Sequence, residues 1–105
     1  MNTTTLSELR TVYIDPDMDD ALRAQSTPRT GGRNTLFLRW IEQGRDVGAG
    51  HGGDLPECTL VMRTMCFPVA LDDALRNEAY ATKTPRNDLV RRYLRAGMEH
   101  ASAAV

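Results

Sequence analysis

The chain has 105 residues and a formal charge of −1 from 13 cationic and 14 anionic side chains. That length suits one compact domain and excludes a multidomain enzyme, while an apolar fraction of 41% with 26% charged residues excludes a disordered, collagenous or disulfide-dense chain. No run of 18 apolar residues occurs, and Met1-Asn2-Thr3-Thr4-Thr5 lacks the basic and apolar regions of a secretory leader, so a soluble cytoplasmic protein without membrane contact is expected.

The first element is a short strand. Thr11-Val12-Tyr13-Ile14 alternates at period two, with Val12 and Ile14 on one face and Leu9, Thr11 and Tyr13 on the other. A helix follows, with Asp15 as N-cap, Pro16 at its first position and Asp17, Asp19 and Asp20 where the helix dipole favours acid. Met18, Ala21, Leu22 and Gln25 mark its inner stripe, and Pro28, Gly31 and Gly32 stop it. A second helix carries the stripe Leu36, Phe37, Trp40 and Ile41, has only Gly31-Gly32 as a weak cap, and is expected to end near Gly44. Residues 47–60, with Gly48, Gly50, Gly52, Gly53 and Pro56, read as a flexible tether. It spans about 20 Å as a coil and at most roughly 45–50 Å extended.

From Arg63 the order repeats. Residues 10–46 lie on 63–99 without a gap when the chain is displaced by 53 positions against itself. Arg10/Arg63, Thr11/Thr64, Asp19/Asp72, Asp20/Asp73, Ala21/Ala74, Leu22/Leu75, Arg23/Arg76, Arg33/Arg86, Asn34/Asn87, Leu36/Leu89, Arg39/Arg92 and Gly44/Gly97 are identical, where ordinary composition gives about two or three chance matches. The chain is a duplication. In copy two Met65 and Phe67 take the inner strand face and Met62, Thr64 and Cys66 the outer one. Pro68 opens a helix striped by Leu71, Ala74 and Leu75. Thr84 as N-cap and Pro85 start a last helix striped by Leu89, Val90, Tyr93 and Leu94, flanked by an Asp88–Arg92 pair, with Gly97 near its end.

One copy of 37 residues is too small for its own core, and its strand has two open edges. The nearest partner is the other copy, held by the tether at an effective concentration on the order of millimolar. The expected fold is mainly α with a short antiparallel two-stranded β-ribbon: two repeats, 9–46 and 61–99, joined by the 47–60 linker, with order β-α-α-β-α-α and a pseudo-two-fold axis in one compact domain. A swapped dimer pairing copy one with copy one of another chain satisfies the same local pattern.

The alternating strand running directly into Asp15-Pro16-Asp17-Met18 and Asp20-Ala21-Leu22, followed by the capped Thr84-Pro85-Arg86-Asn87-Asp88-Leu89, resembles the ribbon-helix-helix superfamily of Arc, MetJ and CopG. It covers roughly 75 of the 105 residues, and the tandem arrangement is similar to that of TraY-type plasmid transfer proteins. The resemblance implies a DNA-binding protein whose ribbon lies in the major groove. Carried over by position, base readers are Leu9, Thr11, Tyr13, Met62, Thr64 and Cys66. Phosphate contacts fall on the second-helix starts at Gly32, Arg33 and Asn34 and at Pro85, Arg86 and Asn87, where free N–H groups and the positive helix end attract an anion. Arg10 and Arg63 are either salt-bridged snorkelling arginines or phosphate contacts beside the groove.

Among the six readers only Thr11 and Thr64 have the polar chemistry favoured for base edges, with Tyr13 as a further donor and the apolar three suited to thymine methyls or to a protein surface. Residues 83–95 concentrate Lys83, Arg86, Arg91, Arg92 and Arg95 against Asp88, a local excess of +4. Trp40 and Tyr93 belong to the core stripe. Cys58 and Cys66 are expected to be reduced thiols, and neither they nor His51 and His100 form a metal, cofactor or catalytic constellation. The expected function is sequence-specific DNA binding as a transcriptional repressor or regulator, and because one ribbon offers few base contacts, modules are expected to self-associate on adjacent subsites of double-stranded DNA. Because Leu9-x-Thr11-x-Tyr13 differs from Met62-x-Thr64-x-Cys66, the subsite is expected to be asymmetric. The alternatives are a plasmid-transfer accessory protein and a protein-interaction module on the same fold, although the tail 99–105 is short for an antitoxin's partner-binding segment. Enzymatic activity and a small-molecule substrate are not expected.

Overall fold

The computed structural model describes residues 6–48 and 55–103. The tether residues Gly50, His51, Gly52 and Gly53 and the opening residues 1–5 lie outside the described residues. The order is β1 (Ser7–Ile14), α1 (Pro16–Gln25), α2 (Arg33–Asp46), β2 (Val61–Pro68), α3 (Val69–Thr82) and α4 (Arg86–Ala103). β1 and β2 pair antiparallel with Thr11 directly opposite Thr64, so repeat-equivalent residues face each other at the ribbon's centre. This is the β-α-α-β-α-α arrangement expected, with the pairing made inside one chain. Among the described residues no helix is long and apolar enough to cross a membrane.

The period-two phase is the phase of the packing. Val12, Ile14 and Phe67 are fully buried and Met65 is 5% exposed, while Leu9, Thr11, Met62 and Thr64 stand in solvent. Below the ribbon, Leu22, Phe37, Trp40 and Ile41 of copy one meet Leu75, Val90, Tyr93 and Leu94 of copy two in one cluster. Phe37 and Phe67 pack edge to face at 5.6 Å, a contact that crosses from one copy to the other. Both strands are eight residues long, because the alternation continues outward to Ser7 and Val61. Pro68 is tolerated opposite Ser7 because that is a non-hydrogen-bonded pair and no ladder bond is lost; one residue on, the Val69 N–H donates to the Leu6 carbonyl at 2.9 Å.

Several boundaries differ from the sequence expectation, each for a local reason. α1 has 10 residues and α3 has 14. Copy one breaks at Ser26 ahead of Pro28, whereas Ala79-Tyr80-Ala81-Thr82 continues the helix until Lys83 closes it in the left-handed conformation at φ 55°. Pro68 is the N-cap of α3 and not its first helical residue. Asp15 holds the N-cap position of α1 with extended backbone, but its carboxylate makes no capping bond and turns to α4.

α2 ends close to Gly44 as expected, but neither Gly44 nor Gly97 is itself a helix terminus. α2 continues to Asp46, and α4 runs on to Ala103, placing His100 on a helix. Both glycines are buried where α2 and α4 cross. A Cβ on Gly44 would stand 2.8 Å from Tyr93 Cα, and one on Gly97 would stand 2.6 Å from Trp40 Cα, with the respective carbonyl oxygens closer still. The repeat therefore makes the same backbone-to-backbone crossing twice, each copy's glycine against the other copy's aromatic position.

Candidate nucleic-acid interface

The outer ribbon face is built from three cross-strand pairs: Leu9 opposite Cys66, Thr11 opposite Thr64, and Tyr13 opposite Met62. The two threonine hydroxyls occupy the middle. At the ends, Leu9 is 67% exposed, Met62 60% and Tyr13 46%, while Cys66 is intermediate. None of these six is a lysine, arginine, histidine, aspartate or glutamate.

Each end of this face is joined to the start of a second helix. The Asn34 side-chain amide donates to the Cys66 carbonyl at 3.0 Å, and its oxygen accepts from the Cys66 N–H at 2.7 Å. Asn87 does the same to Tyr13, both bonds being 2.9 Å. Antiparallel pairing alternates hydrogen-bonded and non-bonded pairs, so Tyr13 and Cys66 direct their N–H and C=O groups to the ribbon's edges. Each asparagine thus satisfies one edge residue of the other copy and fixes the N-terminus of its own helix beside the outer face. Helix geometry leaves the N–H groups of Arg33 and Asn34, and of Arg86 and Asn87, without intrahelical acceptors. Gly32 contributes less than its position suggests, since its N–H donates to the Thr27 carbonyl at 3.3 Å. Pro85 has no N–H to offer, and its carbonyl instead accepts from Asp88 and Leu89.

The arginines divide unequally. Arg10 Nε donates to Asp72 at 3.3 Å and Arg63 donates to both oxygens of Asp19 at 2.9 and 2.8 Å, again across the copies. Arg10 also pairs with Glu8. Both arginine side chains keep 32% exposure, against 1% and 4% for their Asp72 and Asp19 partners. Arg86 reaches Asp72 at 2.8 Å and lies 5.7 Å over the Phe67 ring. Arg33, its repeat equivalent, is exposed and has no ion pair among the described residues.

The excess of cations at 83–95 is met from within. Arg91 Nε donates to Asp15 at 2.6 Å; Arg95 donates to Asp15 at 2.8 Å and to Asp17 at 3.0 Å. Arg91 also donates to the Pro56 carbonyl at 2.8 Å, seating the tether on α4. Burial alone would raise the Asp15 carboxyl, yet the hydrogen bonds and charges of Arg91 and Arg95 outweigh it and hold the group below its ordinary 3.8. A carboxyl with a lowered folded pKa adds stability above its unfolded value and loses that contribution as pH falls through the folded one. We therefore expect the urea midpoint to drop as pH is lowered below about 4, and to drop less in Asp15→Asn, measured by titration from pH 5 to pH 2. An equal acid response in both proteins contradicts the assignment.

The side-chain roles of Asn34, Asn87, Asp19 and Asp72 were not legible from residue type. Their one signal was identity in both copies, which for Asp19 and Asp72 sits beside the core stripe. Compared with known proteins, the chain matches no family model, no curated protein and no solved structure.

Proposed function

We propose that the protein binds double-stranded DNA sequence-specifically through its ribbon, in the manner of the ribbon-helix-helix superfamily, and regulates transcription by occupying its site. The observation that carries the proposal is the pair of reciprocal Asn34–Cys66 and Asn87–Tyr13 links, which hold two helix N-termini at the two ends of one exposed, uncharged ribbon face. A major groove about 12 Å wide admits a two-stranded ribbon. Thr11 and Thr64 then meet base edges at its centre, Tyr13 donates near one end, and Leu9 and Met62 suit thymine methyls. The helix amides on either side take phosphates of the flanking backbones.

Selection from random duplex DNA is expected to enrich one non-palindromic motif, with affinity falling steeply between 50 and 200 mM salt on the order expected for several phosphate contacts. Arg33→Ala should weaken all sequences alike and reduce the salt slope by about one. Arg86→Ala should lower the urea midpoint, because it strips Asp72 of its shortest ion pair. No enrichment, or an affinity indifferent to salt, overturns the proposal. The exposure of Leu9 and Met62 favours a second reading, a ribbon face that docks a protein partner; such a contact is recognised by weak salt dependence.

A further inference from the structure

The two copies share almost every link across their interface. Arg10–Asp72 is matched by Arg63–Asp19, Asn34–Cys66 by Asn87–Tyr13, and the Gly44–Tyr93 crossing by Gly97–Trp40. Because these residues are identical or alike in both copies, each link serves equally well between copy one and a second copy one. The chain therefore has little in these contacts to prevent pairing between like repeats of different molecules. One cluster breaks the pattern. Asp15 is 1% exposed and binds Arg91 and Arg95, of which Arg91 is itself 8% exposed. The repeat equivalents of these residues are Pro68, Leu38 and Glu42.

We infer that the Asp15–Arg91–Arg95 cluster selects the partner repeat, admitting the pairing of copy one with copy two and rejecting like-with-like pairing with a second copy of this chain. The pseudo-two-fold axis fixes what each alternative pairing puts at this place. Between two copies one, Asp15 meets Leu38 and Glu42, so a buried carboxylate loses both donors and gains a like charge. Between two copies two, Arg91 and Arg95 meet Pro68 and Ala70 and lose their acceptors. A buried charge left without its partner is strongly unfavourable, whereas a well-packed apolar group in its place costs little. The outcome for the surface is direct. Only unlike pairing yields a ribbon with Tyr13 beside Met62 at one end and Leu9 beside Cys66 at the other; like pairing gives a face with identical ends. This holds whatever the face binds.

The intact chain tests it. Arg91→Leu/Arg95→Glu gives Asp15 the neighbours of a like pair, and the unfolding constant is expected to rise on the order of 100-fold. Adding Asp15→Ala should recover part of that loss, since the stranded carboxylate is gone. If the double variant does not fold, the folding of the triple variant decides. An unchanged midpoint in the double variant, or a triple variant no more stable than the double, overturns the inference.

Partner choice is read separately by a thiol at the ribbon's centre. In a chain carrying Thr11→Cys with Cys58→Ser and Cys66→Ser, two copies one that pair bring Cys side chains face to face, so disulfide-linked chain dimers report like pairing. Refolded in a glutathione buffer near the tether's millimolar effective concentration, the intact cluster should give few such dimers and the triple variant several-fold more. Equal yields with and without the cluster overturn the inference.

Discussion

Gly97→Ala is expected to lower the stability of the folded chain by about 4 kcal/mol or more, and Gly44→Ala by a similar amount. In an isolated helix the same change is favourable by about 1 kcal/mol, because alanine is the better helix former. The sign is decided by what the new methyl meets. At Gly97 it is the Trp40 carbonyl and Cα, and at Gly44 those of Tyr93. These are backbone atoms within helices, and no rotamer change removes them. The only relief is for α2 and α4 to separate, and both bury their apolar stripes against the same core. A retreat of even 1 Å forfeits a large share of the dispersion contacts along that seam. Overpacking against side chains usually costs 1–3 kcal/mol; against backbone the cost lies at or above the top of that range. Since a domain of this size has roughly 5–15 kcal/mol in total, either variant should lose a large share of the chain's stability. Urea titration followed by far-ultraviolet circular dichroism measures both. A Gly97→Ala protein more stable than the parent would show that the helices do not approach there.

The same two glycines show where a sequence stops being informative. Glycine near the end of an apolar stripe is a valid local sign of a helix terminus, and the strand and stripe phases around it were read from equally local signs. Val12, Ile14, Met65 and Phe67 are buried as their alternation requires, since burial on one face is what writes that alternation into a strand. Close approach of two backbones writes nothing periodic. It leaves only the absence of a side chain, and absence has two explanations until the partner helix is known.

Charge follows the same logic. The cations of 83–95 form a local excess in sequence, but Arg91 and Arg95 find Asp15 and Asp17 across a separation of 76 to 80 positions. A running count along the chain cannot see such pairs. The ribbon's outer face is the converse case. Its membership was legible because it is the complement of a buried alternation, whereas the asparagine links at its ends depend on where two loops bring their helices.

Thr64→Glu is expected to reduce affinity for the selected DNA site by on the order of 100-fold or more while leaving the urea midpoint nearly unchanged, and Thr11→Glu should do the same. The two threonines face each other at the centre of the register, on an exposed surface with no ion pair among the described residues to disturb. In an antiparallel non-hydrogen-bonded pair their Cα atoms stand about 4.5 Å apart, so either carboxylate lies at the middle of whatever the face contacts. Within a major groove that position is flanked by phosphates on both sides, and like-charge juxtaposition at an interface costs several kcal/mol. Thr64→Ala removes a hydroxyl without adding charge, so it should change sequence preference more than affinity. The contrast between the two substitutions carries the information, because a general loss of folding depresses both alike. A ribbon docked on an apolar protein surface responds differently: Leu9→Ser and Met62→Ser then outweigh both threonine changes, and raising the salt does little. Fluorescence anisotropy on one labelled duplex, with the five variants at two salt concentrations, separates the outcomes. If Thr64→Glu binds as tightly as the parent chain, the ribbon is not the surface that reads DNA.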